Sequence, residues 1–197
     1  MIRQAEVRRK TEETEVNLYL NLDGDGKSTI DTGYPFFDHM LKLFSWHGFF
    51  DLRIKAQGDI HIGEHHLVED IGICLGKAFS QAIKDKRGIK RYGASTVPMD
   101  EVLVSCIVDI SGRPLLVFNL NCEKETKAKI EDPFKDFFRA FCAHSGVTLH
   151  INIHYGEGYH HILEGIFKAF GISLDRATQI EKRREGLPST KGLIEEI

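Results

Sequence analysis

His65-His66-Leu67-Val68-Glu69 and His160-His161-Ile162-Leu163-Glu164 are two copies of one pattern, His-His-x-x-Glu, in a chain of 197 residues. Each heads a stretch with helical periodicity. Val68, Ile71, Leu75, Ala78 and Ile83 face one way behind the first copy, predicting a helix from about Glu64 to Lys84, and a second helix is expected over Tyr159 to Thr178. Working back from each pair, one order of elements recurs. Val16, Leu18, Leu20 and Leu22 alternate with Asn17, Tyr19 and Asn21, the period of a half-buried strand, which ends at the Asp23-Gly24-Asp25-Gly26 turn. A short strand near Ser28 to Asp31 follows. Phe37, Met40, Leu41 and Phe44 then mark a helix from Pro35 to His47, with proline tolerated in its first turn, and Gly48 opens a strand over Phe49 to Ala56. Beyond the basic turn at Lys84 to Arg91, strands are expected near Val102 to Ile110 and Leu115 to Leu120, then a helix from Pro133 to His144 and a strand from Val147 to His154. Asp136-Phe137-Phe138 takes the place of His39-Met40-Leu41, Gly146 that of Gly48, and His160-His161 that of His65-His66.

The expected fold is therefore α+β: internally duplicated β-β-α-β-α halves, with helices packed on one face of the sheet. The first half runs over 1–90 and the second over 91–180. Residues 181–197, with Gly186, Pro188 and Gly192, form a tail or ordered loop. The parts are expected to fold together as one catalytic unit.

Composition fits a globular chain. Apolar residues make up 42% and charged residues 28%, far from a disordered composition. A net charge of -3 gives no overall nucleic-acid or membrane surface. Lys182-Arg183-Arg184 resembles a small nucleic-acid patch, but at a helix end such residues usually complement the dipole. No apolar run approaches the ~20 residues of a membrane span, and the polar, basic stretch from Ile2 to Lys10 has no export core. Cys74, Cys106, Cys122 and Cys142 are scattered in apolar stretches without a C-x-x-C pair, which suits a reducing cytoplasm.

Duplicated histidine pairs point to metal. On a helix, residues four apart share a face and neighbours diverge by about 100°. His65 with Glu69, and His160 with Glu164, can each converge on one ion, whereas His66 and His161 must aim elsewhere, so two ions per site are expected. Imidazole with carboxylate and no thiolate suits manganese, iron, zinc or nickel. His39 could complete one ion's shell, with Asp38 or Asp70 orienting it. Arg91, Arg113, Lys168 and Lys191 are candidates for a phosphate, since arginine forks and Ser/Gly turns suit one. Glu13, just before the first strand, is a candidate acid or base.

The series Phe37-Asp38-His39-Met40-Leu41, His47-Gly48-x-Phe50-Asp51-Leu52, His65-His66-x-x-Glu69-Asp70, Arg91-Tyr92-Gly93, Pro98-Met99-Asp100-Glu101, Asp109-x-Ser111-Gly112-Arg113-Pro114 and Pro188-Ser189-Thr190-Lys191-Gly192 resembles the imidazoleglycerol-phosphate dehydratase family along nearly the whole chain. The resemblance implies a ribosomal protein S5 domain 2-like fold and a homo-oligomeric, 24-subunit shell with dimanganese sites between subunits. It implies His39, His66, His160 and Glu164 around one manganese, and His65, Glu69 and His161 around the other. Glu13, Arg91, Arg113, Lys168, Ser189, Thr190 and Lys191 fall on its substrate-contacting positions, so the tail would help bind the substrate phosphate. Three positions depart from the family pattern. Asp136 stands where histidine or glutamate usually supplies the second metal's remaining ligand, with His144 as a nearby alternative; Gly63 replaces an aspartate and Gly158 an asparagine before the two pairs.

The implied reaction removes water from imidazoleglycerol phosphate, giving imidazole acetol phosphate in histidine biosynthesis. The expected route runs through an imidazolate and a diazafulvene-type intermediate, with His66, Glu164 and Glu13 among the catalytic groups. A binuclear hydrolase of phosphate esters would use similar residues and is distinguished by phosphate release. A non-catalytic metal-binding shell protein would have no use for Arg113.

Overall fold

The computed structural model describes residues 3–194. The last three residues of the expected tail, 195–197, lie outside the described residues, as do residues 1–2. Strands β1 (Gln4–Lys10), β2 (Thr14–Asn21) and β3 (Ser28–Asp31) precede helix α1 (Pro35–Gly48), strand β4 (Asp51–Gly58) and helix α2 (His65–Ile83). The second half has β5 (Tyr92–Met99), β6 (Val102–Asp109) and β7 (Leu115–Leu120), then α3 (Lys124–Ile130), a π-helical turn over Glu131–Lys135, α4 (Asp136–Ser145), β8 (Thr148–Tyr155) and α5 (Tyr159–Thr178).

Each half builds a four-stranded sheet, in the orders β1-β2-β4-β3 and β5-β6-β8-β7. In each, the last two strands named pair in parallel and the other neighbours are antiparallel. The registers correspond: Leu18 of β2 stands between Val7 and Ile54, and Cys106 of β6 between Ser95 and Ile151. The period of two in β2 holds, with Val16, Leu18 and Leu20 buried against the helices and Glu15 exposed. α2 lies on β1 and β2, α5 on β5 and β6, and the helices cross-pack between halves, α2 on α4 and α1 on α5. Both halves therefore share one apolar core, in which Phe37, Phe44, Phe137, Phe141, Phe167 and Phe170 are fully buried.

Each half is β-β-β-α-β-α, with one more leading strand than the sequence pattern suggests. β1 and β5 are the first strands of their halves and both are sheet edges. β1 buries only Val7, and β5 carries Gly93 and Pro98, so neither shows a clean apolar alternation. The helix expected from Pro133 begins instead at Lys124. A proline within a helix removes one i to i-4 hydrogen bond, and here the chain passes Pro133 in a π turn before α4 resumes. The equivalence of Gly146 with Gly48 also shifts by one residue. Gly146 caps α4 in the left-handed region at φ 69°, and the residue that caps α1 there is Phe49, at φ 55°.

Close helix crossings depend on glycine. A Cβ on Gly76 of α2 would meet the Phe141 carbonyl oxygen at 2.7 Å, and one on Gly171 of α5 would meet that of Phe44 at 2.5 Å. The linker and tail are joined to each other. Ile89 bridges Ile180, the Gly88 amide donates to the Gly186 carbonyl at 2.8 Å, and Ile194 is buried.

Candidate functional site

Helix α5 brings its first turn to the start of α1. His39 Nε2 and His160 Nε2 lie 3.0 and 2.9 Å from the same oxygen, Glu164 Oε1. The His160 to Glu164 contact follows from their four-residue spacing. His39 arrives from the other half because α1 packs on α5. Lys168, one turn further along α5, donates from Nζ to Glu164 Oε2 at 2.7 Å. Burial alone would raise the Glu164 pKa, but hydrogen bonds from Lys168 and His39 outweigh it and hold the group at about 2. Glu164 is thus a fixed carboxylate. Burial, helped by the Lys168 charge, pushes neighbouring His47 below its ordinary value and favours its neutral form.

The other histidines of the two pairs turn elsewhere, as adjacent helical positions require. His66 Nδ1 lies 3.2 Å from both oxygens of Asp59, the residue after β4, and 3.8 Å from Glu13 Oε2. His161 Nδ1 lies 3.1 and 3.0 Å from the two oxygens of Glu101, in the β5-β6 turn. Their hydrogen bond lowers the Glu101 pKa and raises that of His161. His65 stands beside His66, ring centroids 4.0 Å apart, with Glu69 one turn along α2. Asp136, in the first turn of α4, pairs with Arg139 at 2.9 Å.

His39, His160 and Glu164 therefore gather in one place, their ligand atoms within 4.8 Å of one another. His161 falls in a second such group with Asp100 and Glu101, and His65, Glu69, His66 and Asp136 join neither group within the single chain. The orienting role expected of Asp38 or Asp70 for His39 is not what the structure shows. Asp38 accepts from the Thr32 amide and hydroxyl at 3.1 and 2.6 Å, tying down the start of α1. Asp70 pairs with Arg9 at 2.8 Å and accepts from Thr14. His144 lies along α4 against Gly76 of α2, about two helical turns from Asp136.

A second cluster joins the tail to the head of β5. The Arg91 guanidinium forks onto Asp109, with Nε to Oδ1 at 2.7 Å and Nη2 to Oδ2 at 3.2 Å, and Nη1 donates to the Pro188 carbonyl at 3.0 Å. Asp109 raises the Arg91 pKa by accepting these bonds. Arg113 Nη2 stands 3.9 Å from the same carboxylate. Arg91, Tyr92, Arg184, Pro188, Ser189 and Thr190 line a cavity of ~390 Å³. The Lys191 amide donates to Ser189 Oγ at 3.2 Å, which curls the tail. Lys168 is separate from this cluster and belongs with Glu164. Sequence reasoning missed Asp59, quoted Glu101 and Asp109 only within motifs, and met Arg184 only in the basic run Lys182-Arg183-Arg184; what each does is set by partners on other elements. The one available signal was the acidic residue at each strand end.

A family profile described as imidazoleglycerol-phosphate dehydratase matches residues 32–174. The imidazoleglycerol-phosphate dehydratase of Pelobacter propionicus is 53% identical over 98% of this chain and 100% of its own length. That of Acetivibrio thermocellus is 54% identical, with the same two coverages. The crystal structure of imidazoleglycerol-phosphate dehydratase from Staphylococcus aureus superposes with a TM-score of 0.78 at 38% identity, over 90% of this chain and 99% of that one. IGPD from Pyrococcus furiosus gives 0.80 at 35% identity, over 95% and 99%.

Proposed function

The chain belongs to the imidazoleglycerol-phosphate dehydratase family, and from that premise we propose how its residues divide the work of the reaction. Its activity is the dehydration of imidazoleglycerol phosphate to imidazole acetol phosphate, a hydro-lyase step of histidine biosynthesis. The observation that supports the residue-level reading is the convergence of His39 Nε2 and His160 Nε2 on Glu164 Oε1. Two imidazoles and a carboxylate held ionised fit a borderline divalent cation, and manganese, two ions per active site, is the metal proposed. Bound there, the ions would supply Lewis acidity to the substrate's imidazole ring, easing loss of the hydroxyl from the carbon attached to the ring and of the non-acidic proton from the carbon beyond it.

The chain's residues do the rest. His39, His66, His160 and Glu164 are proposed to hold one ion, and His65, Glu69, His161 and Asp136 the other. Lys168 keeps Glu164 charged and aimed. Glu13, half exposed and 3.8 Å from His66, is proposed as an acid or base of the reaction, in which the hydroxyl leaves the carbon attached to the ring and the proton leaves the carbon beyond it. Arg91, Arg113, Ser189, Thr190 and Lys191 are proposed to receive the phosphate at the far end.

The dispersal of the proposed ligands within one chain supports a homo-oligomer whose sites are completed between subunits, the 24-subunit shell that the resemblance implies. A cytoplasmic location is proposed on the same footing; among the described residues no helix is long and apolar enough to cross a membrane. The family and the named relatives do not favour a phosphate-ester hydrolase or a non-catalytic shell. The test is an assay on metal-stripped protein, with and without Mn²⁺, following ketone and free phosphate together. Manganese-dependent ketone without phosphate is expected; turnover unaffected by metal removal would overturn the metal assignment.

A further inference from the structure

The two halves treat equivalent glutamates differently. Glu13 and Glu101 each stand one residue before the second strand of their half, β2 beginning at Thr14 and β6 at Val102. The strand registers on either side correspond, with Lys10 opposite Glu15 and Pro98 opposite Leu103. His66 and His161 are likewise equivalent, each the second histidine of its pair. In the second half Glu101 takes His161 Nδ1 at 3.0 Å. In the first half Glu13 stays 3.8 Å from His66 Nδ1, and Asp59 takes that nitrogen with both oxygens at 3.2 Å. The residue equivalent to Asp59 after β8 is Gly156, which has no carboxylate to offer.

We infer that Glu101 and Asp59 are positioning residues for the two metal-facing histidines, and that Asp59 relieves Glu13 of this task so that Glu13 can face substrate. This rests on the reading of His66 and His161 as ligands. The chemistry is direct. A carboxylate only accepts hydrogen bonds, so a neutral imidazole facing it must carry its proton on Nδ1. The lone pair is then on Nε2, on the opposite edge of the ring, and ring rotation is restrained. Asp59 is well enclosed, its side chain 14% exposed, whereas Glu13 is 55% exposed. If His66 were served by Glu13 instead, that carboxylate would be tied to the ring and lost to proton transfer.

The test compares Glu101→Ala, Glu101→Gln, Asp59→Ala, Glu13→Ala and His161→Ala in the full chain. Nitrogen NMR of the metal-free protein above the imidazole pKa reads the tautomers, and titration with Mn²⁺ alone reads affinity. Wild type should show Nδ1–H tautomers at His66 and His161. Glu101→Ala should release His161 to the Nε2–H form and weaken Mn²⁺ binding by roughly 10–100-fold, with Asp59→Ala doing the same at His66. Glu101→Gln retains an acceptor oxygen and should recover most of the affinity. Glu13→Ala should leave both tautomers and Mn²⁺ affinity as in wild type. An unchanged tautomer and affinity in Glu101→Ala, while His161→Ala still loses metal, would overturn the positioning role alone. Unchanged affinity in His161→Ala would overturn the ligand reading beneath it.

Discussion

His39 and Glu164 are 125 residues apart in sequence, yet His39 Nε2 lies 3.0 Å from Glu164 Oε1. The contact joins the two halves at the place where the metal is proposed to bind, and it exists because α1 of the first half packs on α5 of the second.

Glu164→Gln keeps the shape of the side chain but removes the charge that Lys168 and the two imidazoles share. Its Mn²⁺ affinity should fall by more than the roughly 10–100-fold typical of losing an outer partner, with the fold intact by circular dichroism. Near-normal Mn²⁺ affinity would remove Glu164 from the ligand set.

Arg91→Lys exchanges a planar fork for a single ammonium. The bidentate contact with Asp109 and the bond to the Pro188 carbonyl cannot both be kept, so Ser189 and Thr190 should lose their placement. The expected outcome in steady-state kinetics is a KM for imidazoleglycerol phosphate raised about tenfold or more, with the tail cut faster by protease. A changed kcat at constant KM would argue against a phosphate-side role.

Gly171→Ala would drive a Cβ to 2.5 Å from the Phe44 carbonyl oxygen and 3.1 Å from the Gly48 amide nitrogen. Neither backbone can yield without separating α1 from α5, so a loss of about 1–3 kcal/mol is expected in denaturant unfolding. Metal affinity should fall with it, since the same crossing presents His39 to Glu164. A variant as stable as wild type would show that the helices can part freely.

Asp51 gives the pH dependence. Its burial raises the pKa, but the amides of Asp25 and Lys27, donating to Oδ1 at 2.9 and 3.1 Å, and Asn21 outweigh this, so the folded value lies below the ordinary 3.8. A depressed carboxyl stabilises the fold above its unfolded pKa, and that contribution is lost as pH falls through 3.8 towards the folded value. Asp51→Ala should therefore cost roughly 1–2 kcal/mol at pH 7, and the gap from wild type should narrow steadily below pH 4. Unfolding curves at pH 7 and pH 3 decide it; a gap of equal size at both would refute the charge-based account.

Much was legible without coordinates because it depends on local periodicity. The alternation of Val16, Leu18 and Leu20 located β2, and the spacing of Phe37, Met40, Leu41 and Phe44 located α1 and its buried face. The four-residue step from His160 to Glu164 placed both on one side of α5, and the repeat of the histidine pairs disclosed the duplication. Edge strands β1 and β5 were hidden because a strand with one buried side chain, or with Gly93 and Pro98 in it, leaves no apolar period to read. Phe49 holds the left-handed cap that Gly146 holds in the other half, so matching glycine to glycine misaligned the repeat by one residue. Which carboxylate serves which histidine was also beyond the sequence: Asp38 and Asp70 are neighbours of His39 and Glu69 along the chain, but hydrogen bonds to Thr32, Thr14 and Arg9 occupy them. The sequence by itself determined the family, the duplication and the chemical character of the donors, all carried by residue type and short spacing. Only the tertiary structure decided that His39 meets Glu164, that Asp59 and Glu101 take His66 and His161, and that Arg91 ties the tail to Asp109, because those contacts arise where helices cross and strands turn, between residues whose separation in sequence holds no record of their distance in space.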